Sequence, residues 1–178
     1  MLRIKKVNHY TPSHTVVNVG ICEFSISNNP KVLATYSLGS CLAIVLYHSI
    51  LKIGALIHTL LPEPKGDVDN PLKYVKTAIP LVLNELRKRG INRFNDLEAA
   101  LIGGANILKA TASLRIGEKN VEMAKRVLKY YGIEIRDEDV GGNRSRDVFF
   151  EISTGNIYVT SPKLSLVSMT KLFGGGHA

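Results

Sequence analysis

The chain has 178 residues, 45% of them hydrophobic, and carries 23 Lys and Arg against 15 Asp and Glu, a formal net charge of +8. That length suits one domain with a core of its own and argues against intrinsic disorder. Two cysteines, Cys22 and Cys41, exclude a disulfide framework and a CxxC zinc knuckle; no apolar run approaches the about 20 residues of a membrane span, and no apolar stretch backs the charged N-terminus as in a secretory signal. The expected compartment is the cytoplasm, where both thiols stay reduced, with no insertion into a membrane. The positive charge is scattered, and its densest cluster, Arg87-Lys88-Arg89, ends a predicted helix, where cations favour the dipole. Without an RGG tract, an RNP aromatic motif or a helix-turn-helix signature, nucleic acid is not an expected partner. The charge fits an acidic protein surface instead.

Residues 16–22 and 31–36 read as short strands, with a turn at Asn28-Asn29-Pro30 between them. Residues 41–47 form a nearly continuous apolar run, too short and too β-rich for a helix, and 53–60 form a second. Both read as buried strands connected through 48–51. Residues 62–71 are loop. Leu72, Val75, Ile79, Val82, Leu83 and Leu86 then recur at helical spacing, with Gly90 as the stop. Pro80 within that run implies a kink, or a late start that puts it in the first turn. Residues 99–102 are a strand running into Gly103-Gly104, and 120–131 a second amphipathic helix closed by Gly132. Strands at 133–136, 148–152 and 156–160 follow, the last two a hairpin turned at Thr154-Gly155. Adjacent strands and two long helices, without regular βαβ alternation, predict an α+β fold. The expected architecture is a layered sandwich of mixed and antiparallel sheets with both helices packed on the outside. Residues 1–160 are expected to form one domain, and 161–178 a C-terminal tail with a mobile end at Gly174-Gly175-Gly176.

If 48–51 form the connection, Tyr47 pairs with Lys52 and Cys41 stands directly opposite His58. Their Cβ atoms are then about 4.5–5.5 Å apart on one face. A one-residue slip would break the pairing. A thiol beside an imidazole suits acyl transfer, with the thiolate as nucleophile and the ring taking its proton. Thr35, one strand earlier, offers a hydroxyl to accept from the other ring nitrogen. The small residues Gly39 and Ser40 let backbone N–H groups approach a developing oxyanion. The bland alternatives stay open: Cys41 as a small buried hydrophobe, His58 as a satisfied core histidine. Cys22 reads as core filler, and His9, His14, His48 and His177 carry no spacing signal. Gly103-Gly104 and Gly141-Gly142 lack any phosphate-loop pattern and read as turns. Asp67, Asp69, Asp137 and Asp139 are too scattered for a metal site.

Five stretches carry a resemblance. Thr35-Tyr36-Ser37-Leu38-Gly39-Ser40-Cys41 looks like T-x-x-L-G-S-C, and Ile57-His58-Thr59-Leu60-Leu61-Pro62 looks like A-H-x-x-L-P, with Ile57 in place of the alanine. Gly103-Gly104-Ala105, Ile116-Gly117-Glu118-Lys119-Asn120 and Asp139-Val140-Gly141-Gly142-Asn143 match G-G-A, I-G-x-x-N and D-x-G-G. In order and at this spacing they resemble the chemoreceptor glutamine deamidases of the CheD family. The resemblance makes 1–160 a CheD-like catalytic domain, a protein-glutamine glutaminase of chemotaxis adaptation. It hydrolyses receptor glutamine amides to glutamate and ammonia through a cysteine thioester. Cysteine, histidine and threonine fall on Cys41, His58 and Thr35, and no cofactor or metal is needed. Some members also hydrolyse glutamate methyl esters. Implied partners are the cytoplasmic region of chemoreceptors and a CheC-type phosphatase or archaeal chemotaxis adaptors. A regulatory binding module for such a partner, with little catalytic role, is the alternative. One departure stands out: the family shows Gly-Arg after the G-G turn, where this chain has Ser145 before Arg146.

Overall fold

Strands that are apolar at every successive position must be covered on both faces. Three strands of this chain are of that kind, and they dictate its layering. A computed structural model describes residues 1–28 and 30–162. Its strands are β1 (Arg3–Lys6), β2 (Val16–Asn18), β3 (Glu23–Asn28), β4 (Val32–Leu38), β5 (Leu42–His48), β6 (Ile53–Thr59), β7 (Glu98–Gly103), β8 (Glu134–Val140), β9 (Arg146–Glu151) and β10 (Asn156–Thr160). Its two long helices are α1 (Val75–Lys88) and α2 (Ile116–Tyr130).

The strands form two five-stranded sheets, ordered β1-β10-β9-β4-β2 and β3-β6-β5-β7-β8. Each mixes parallel and antiparallel pairs: β1 runs parallel to β10 and β7 to β8, while β5 pairs antiparallel with β6 and β7. The almost wholly buried β5, β6 and β7 lie at the centre of the second sheet. One of its faces packs on the first sheet through Ala43, Val45, Leu56 and Ile102, against Leu33, Val148 and Phe150. The other packs on the helices through Leu42, Ile44 and Ile57, against Ile79, Val82, Leu86, Met123 and Leu128. The α+β layered sandwich therefore holds, and both helices cover the same outer face.

Several boundaries differ from expectation. The segment 16–22 is not one strand: β2 ends at Asn18, and Cys22 adopts a left-handed backbone (φ 60°) in the turn before β3. Pro80 lies inside α1 rather than in its first turn, because residues 71–73 close a separate 3₁₀ turn and α1 begins at Val75. Helix α2 starts four residues early, at Ile116. The Asn29 part of the expected turn and the tail over 163–178 lie outside the described residues.

The β5–β6 register also differs. The structure pairs His48 with Ile53 and Ala43 with His58, so Cys41 is not directly opposite His58. The connection still has four residues, but they are 49–52. The Leu51 N–H donates to His48 Nδ1 (3.2 Å), which keeps His48 as the last paired residue. Lys52 takes the left-handed conformation (φ 52°) that closes the loop. The correction amounts to two residues in the pairing, and the period of two in a strand makes that harmless: each side chain keeps its face.

Candidate active site

Cys41 immediately precedes β5 and packs in the inter-sheet core with Ala43, two residues on. His58 opposes Ala43. Cys41 and His58 are therefore diagonal neighbours on one face, about 7–8 Å apart along the backbone, and Cys41 Sγ makes no hydrogen bond to His58 Nε2. Thr35 comes from the other sheet, on β4. All three are buried, with Cys41 the most accessible at 9% exposure.

The hydrogen bonds fix the state of the ring. The Thr35 hydroxyl donates to the Val19 carbonyl at 2.7 Å, which uses its only proton. The 2.7 Å contact between Thr35 Oγ1 and His58 Nδ1 must then be a donation from the ring N–H to the hydroxyl oxygen. His58 is held as the Nδ1–H tautomer, leaving the Nε2 lone pair as the acceptor. Nε2 is buried and has no hydrogen-bond partner among the described residues. A buried imidazole lacking an acceptor for a second proton resists charging. Burial pushes the His58 pKa down to about 4, against the opposing pull of the Glu23 carboxylate on neighbouring β3. Burial also pushes the Cys41 thiol up; Cys22 adds to this, and the Cys41 backbone N–H draws it back in part. The resting pair is a neutral thiol and a neutral imidazole.

A cavity of about 460 Å³ opens beside Cys41, lined by Gly39, Ser40, Gly104, Ala105, Ile107 and Gly142 among others. Its walls are tied together through the backbone. Gly104 N–H donates to Cys41 C=O, Ala105 N–H to Gly39 C=O and Asn106 N–H to Gly142 C=O, each at 2.8 Å. Gly103 has φ 113°, and a Cβ there would run into the Cys41 carbonyl. Gly117, in the first turn of α2, lets the helix meet the Gly104 carbonyl at a distance no side chain would permit. Arg115 and Glu118 form an ion pair on the same wall.

Gly39 and Ser40 line this cavity beside Cys41. The glycine pairs read as turns sit at strand ends, Gly103 as the last residue of β7 and Gly141 directly after β8, and Gly104, Gly141 and Gly142 line the cavity. Asn120 went unnoticed as a site residue, although a fully buried asparagine on the apolar face of an amphipathic helix was its signal.

A family model described as CheD chemotactic sensory transduction matches residues 60–161. A probable chemoreceptor glutamine deamidase CheD of Pyrococcus abyssi is 41% identical over 89% of this chain and 93% of its own length. The chemoreceptor glutamine deamidase CheD of Thermotoga maritima is 40% identical over 79% of this chain and 88% of its own. The chain belongs to the CheD family. Four of the five CheD stretches, separated in sequence, converge on the cavity at Gly39-Ser40-Cys41, Gly104-Ala105, Ile116-Gly117 and Gly141-Gly142. Beside the CheD departure at Ser145, Arg146 is 8% exposed and donates to Asp139 at 3.2 Å. A crystal structure of Neisseria meningitidis protein NMB0706 aligns with 73% of this chain and 63% of its own at a TM-score of 0.39 and 11% identity; nothing is drawn from so loose a likeness.

Proposed function

We propose that this CheD protein is a protein-glutamine deamidase of chemotaxis adaptation, with Cys41 as nucleophile, His58 as its base and Thr35 orienting the ring. The observation that carries the reading is the buried Thr35–His58 hydrogen bond, which leaves the free Nε2 on the face that bears Cys41. The relatives, chemoreceptor glutamine deamidases by name, point to the substrate, a glutamine of a chemoreceptor.

The steps follow from the resting protonation. Cys41 Sγ attacks the side-chain amide carbon as its proton passes to His58 Nε2. The carbonyl oxygen becomes an oxyanion facing the backbone around Gly39 and Ser40. His58 returns the proton to the departing nitrogen, ammonia leaves, and a thioester remains on Cys41. Water, deprotonated by His58, attacks the thioester carbon and releases glutamate and the thiol. A glutamate methyl ester would follow the same course with methanol as leaving group. The net charge of +8 steers the protein toward an acidic receptor surface. The setting proposed is the cytoplasm, and a CheC-type phosphatase or archaeal chemotaxis adaptor is the further partner the family implies.

Mass spectrometry of a receptor cytoplasmic fragment incubated with the protein tests this. A gain of about one dalton at specific glutamines is expected, from replacement of –NH₂ by –OH, and Cys41→Ala should abolish it. No gain with the native protein, or a gain that survives Cys41→Ala, overturns the reading.

A further inference from the structure

We infer that Asn120 is a positioning residue that aims the Cys41 backbone N–H into the cavity as an oxyanion donor. The inference rests on the acyl-transfer reading of the site.

Asn120 lies on α2, outside both sheets, and is fully buried. Its side-chain Nδ2 donates to two backbone carbonyls, Ser40 at 2.9 Å and Leu60 at 3.1 Å. Ser40 directly precedes Cys41. Leu60 lies two residues past His58 and would be the next partner of Cys41 if the β5–β6 pairing ran one step further. The amide thus bridges the two chain ends where the ladder stops, and each end carries one member of the proposed pair.

The bond to Ser40 has a further effect. In a trans peptide the C=O and the following N–H point in opposite directions. Holding the Ser40 carbonyl on Asn120 fixes the plane of the peptide that carries the Cys41 N–H, at two residues that line the cavity. Among the described residues, neither the Ser40 nor the Cys41 N–H has a backbone acceptor. The Cys41 carbonyl does accept from Gly104 N–H, but the reciprocal bond that would complete the pair is not made. A donor is left open at the nucleophile.

Asn120 also carries a cost. Its Oδ1 is buried without a hydrogen-bond partner among the described residues. A buried orphan acceptor is unfavourable, and stability alone favours an apolar residue at such a helix position. The two donor bonds account for its presence.

Two reactions of the same thiol separate oxyanion positioning from mere packing. Acylation by p-nitrophenyl acetate passes through a tetrahedral oxyanion; alkylation by iodoacetamide does not. Both are read at Cys41 by peptide mass mapping in the native protein, Asn120→Ala and Asn120→Asp, with thermal unfolding followed alongside. The rates are compared at a temperature where each variant is fully folded, because unfolded chains react with both reagents. Acylation is expected to fall about ten-fold or more relative to alkylation in both variants. An unchanged ratio, or equal losses in both reactions, overturns the inference. If the native protein acylates normally but leaves receptor glutamines untouched, the deamidase reading fails while the ratio still decides the role of Asn120.

Discussion

His58 Nδ1 and Thr35 Oγ1 lie 2.7 Å apart although the two residues belong to different sheets. The bond crosses the sandwich where no backbone pairing holds the layers together. Replacing Thr35 by Val keeps the shape, deletes the acceptor and frees the ring to change tautomer. Thr35→Val should lose about 1–3 kcal/mol of stability, the cost of an unsatisfied buried donor, and much of the turnover. Thr35→Ser should keep most of both. Urea unfolding and deamidation rates check this; equal behaviour of the two variants would remove Thr35 from the site.

The depressed His58 pKa makes a stability prediction. The ring titrates near 6.5 when unfolded and about 4 when folded. Between those values the unfolded state holds the extra proton, so stability falls as pH drops from 6.5 to 4 and levels off below. The window is worth roughly 3 kcal/mol at most. Unfolding free energies of the native protein and His58→Gln, measured across this range, should converge as pH falls. The acid limb of kcat/KM should lie nearer 4 than 6.5.

A neutral resting pair also predicts how the thiol reacts. A preformed thiolate–imidazolium pair gives fast alkylation persisting to low pH. Here the iodoacetamide rate at Cys41 should instead climb steadily with pH and show no acid plateau. A plateau between pH 4 and 7 would show that the ion pair exists before substrate arrives.

Gly103 offers a structural control. Both Gly103 (φ 113°) and Gly90 (φ 92°) are in left-handed conformations, but a Cβ at Gly90 meets nothing within 4 Å, whereas at Gly103 it collides with the Cys41 carbonyl. Gly90→Ala should cost about 1 kcal/mol through backbone strain alone. Gly103→Ala should cost about 2 kcal/mol or more and lower Cys41 acylation as well. Equal costs from thermal unfolding would mean that the wall yields without moving the cysteine.

The sequence made the layers legible because β5, β6 and β7 are apolar on both faces and the helices are apolar on one. It left β1 hidden, since Arg-Ile-Lys-Lys has no strand pattern and is an edge strand paired only with β10. The Cys41–His58 pairing expected from the sequence differs from the observed register by two residues, because the apolar run does not reveal that His48 is the last rung. The face was still right, since a shift of two keeps parity. Thr35 was reachable only as a hydroxyl in the preceding strand; that it meets His58 from the opposite sheet is a tertiary fact. Asn120 was visible as a polar residue in an apolar stripe, but its two carbonyl partners, 60 and 80 residues away, were not.

The uncharged, enclosed thiol of Cys41 bears on how the protein ages. Peroxide attacks thiolates, and the steps from sulfenic to sulfinic acid need solvent access. A buried cysteine whose proton is held, as burial holds that of Cys41, offers little to an oxidant. Cys22, half-buried in its turn, is the more accessible of the two. Under mild hydrogen peroxide it should collect damage first, leaving Cys41 able to be acylated.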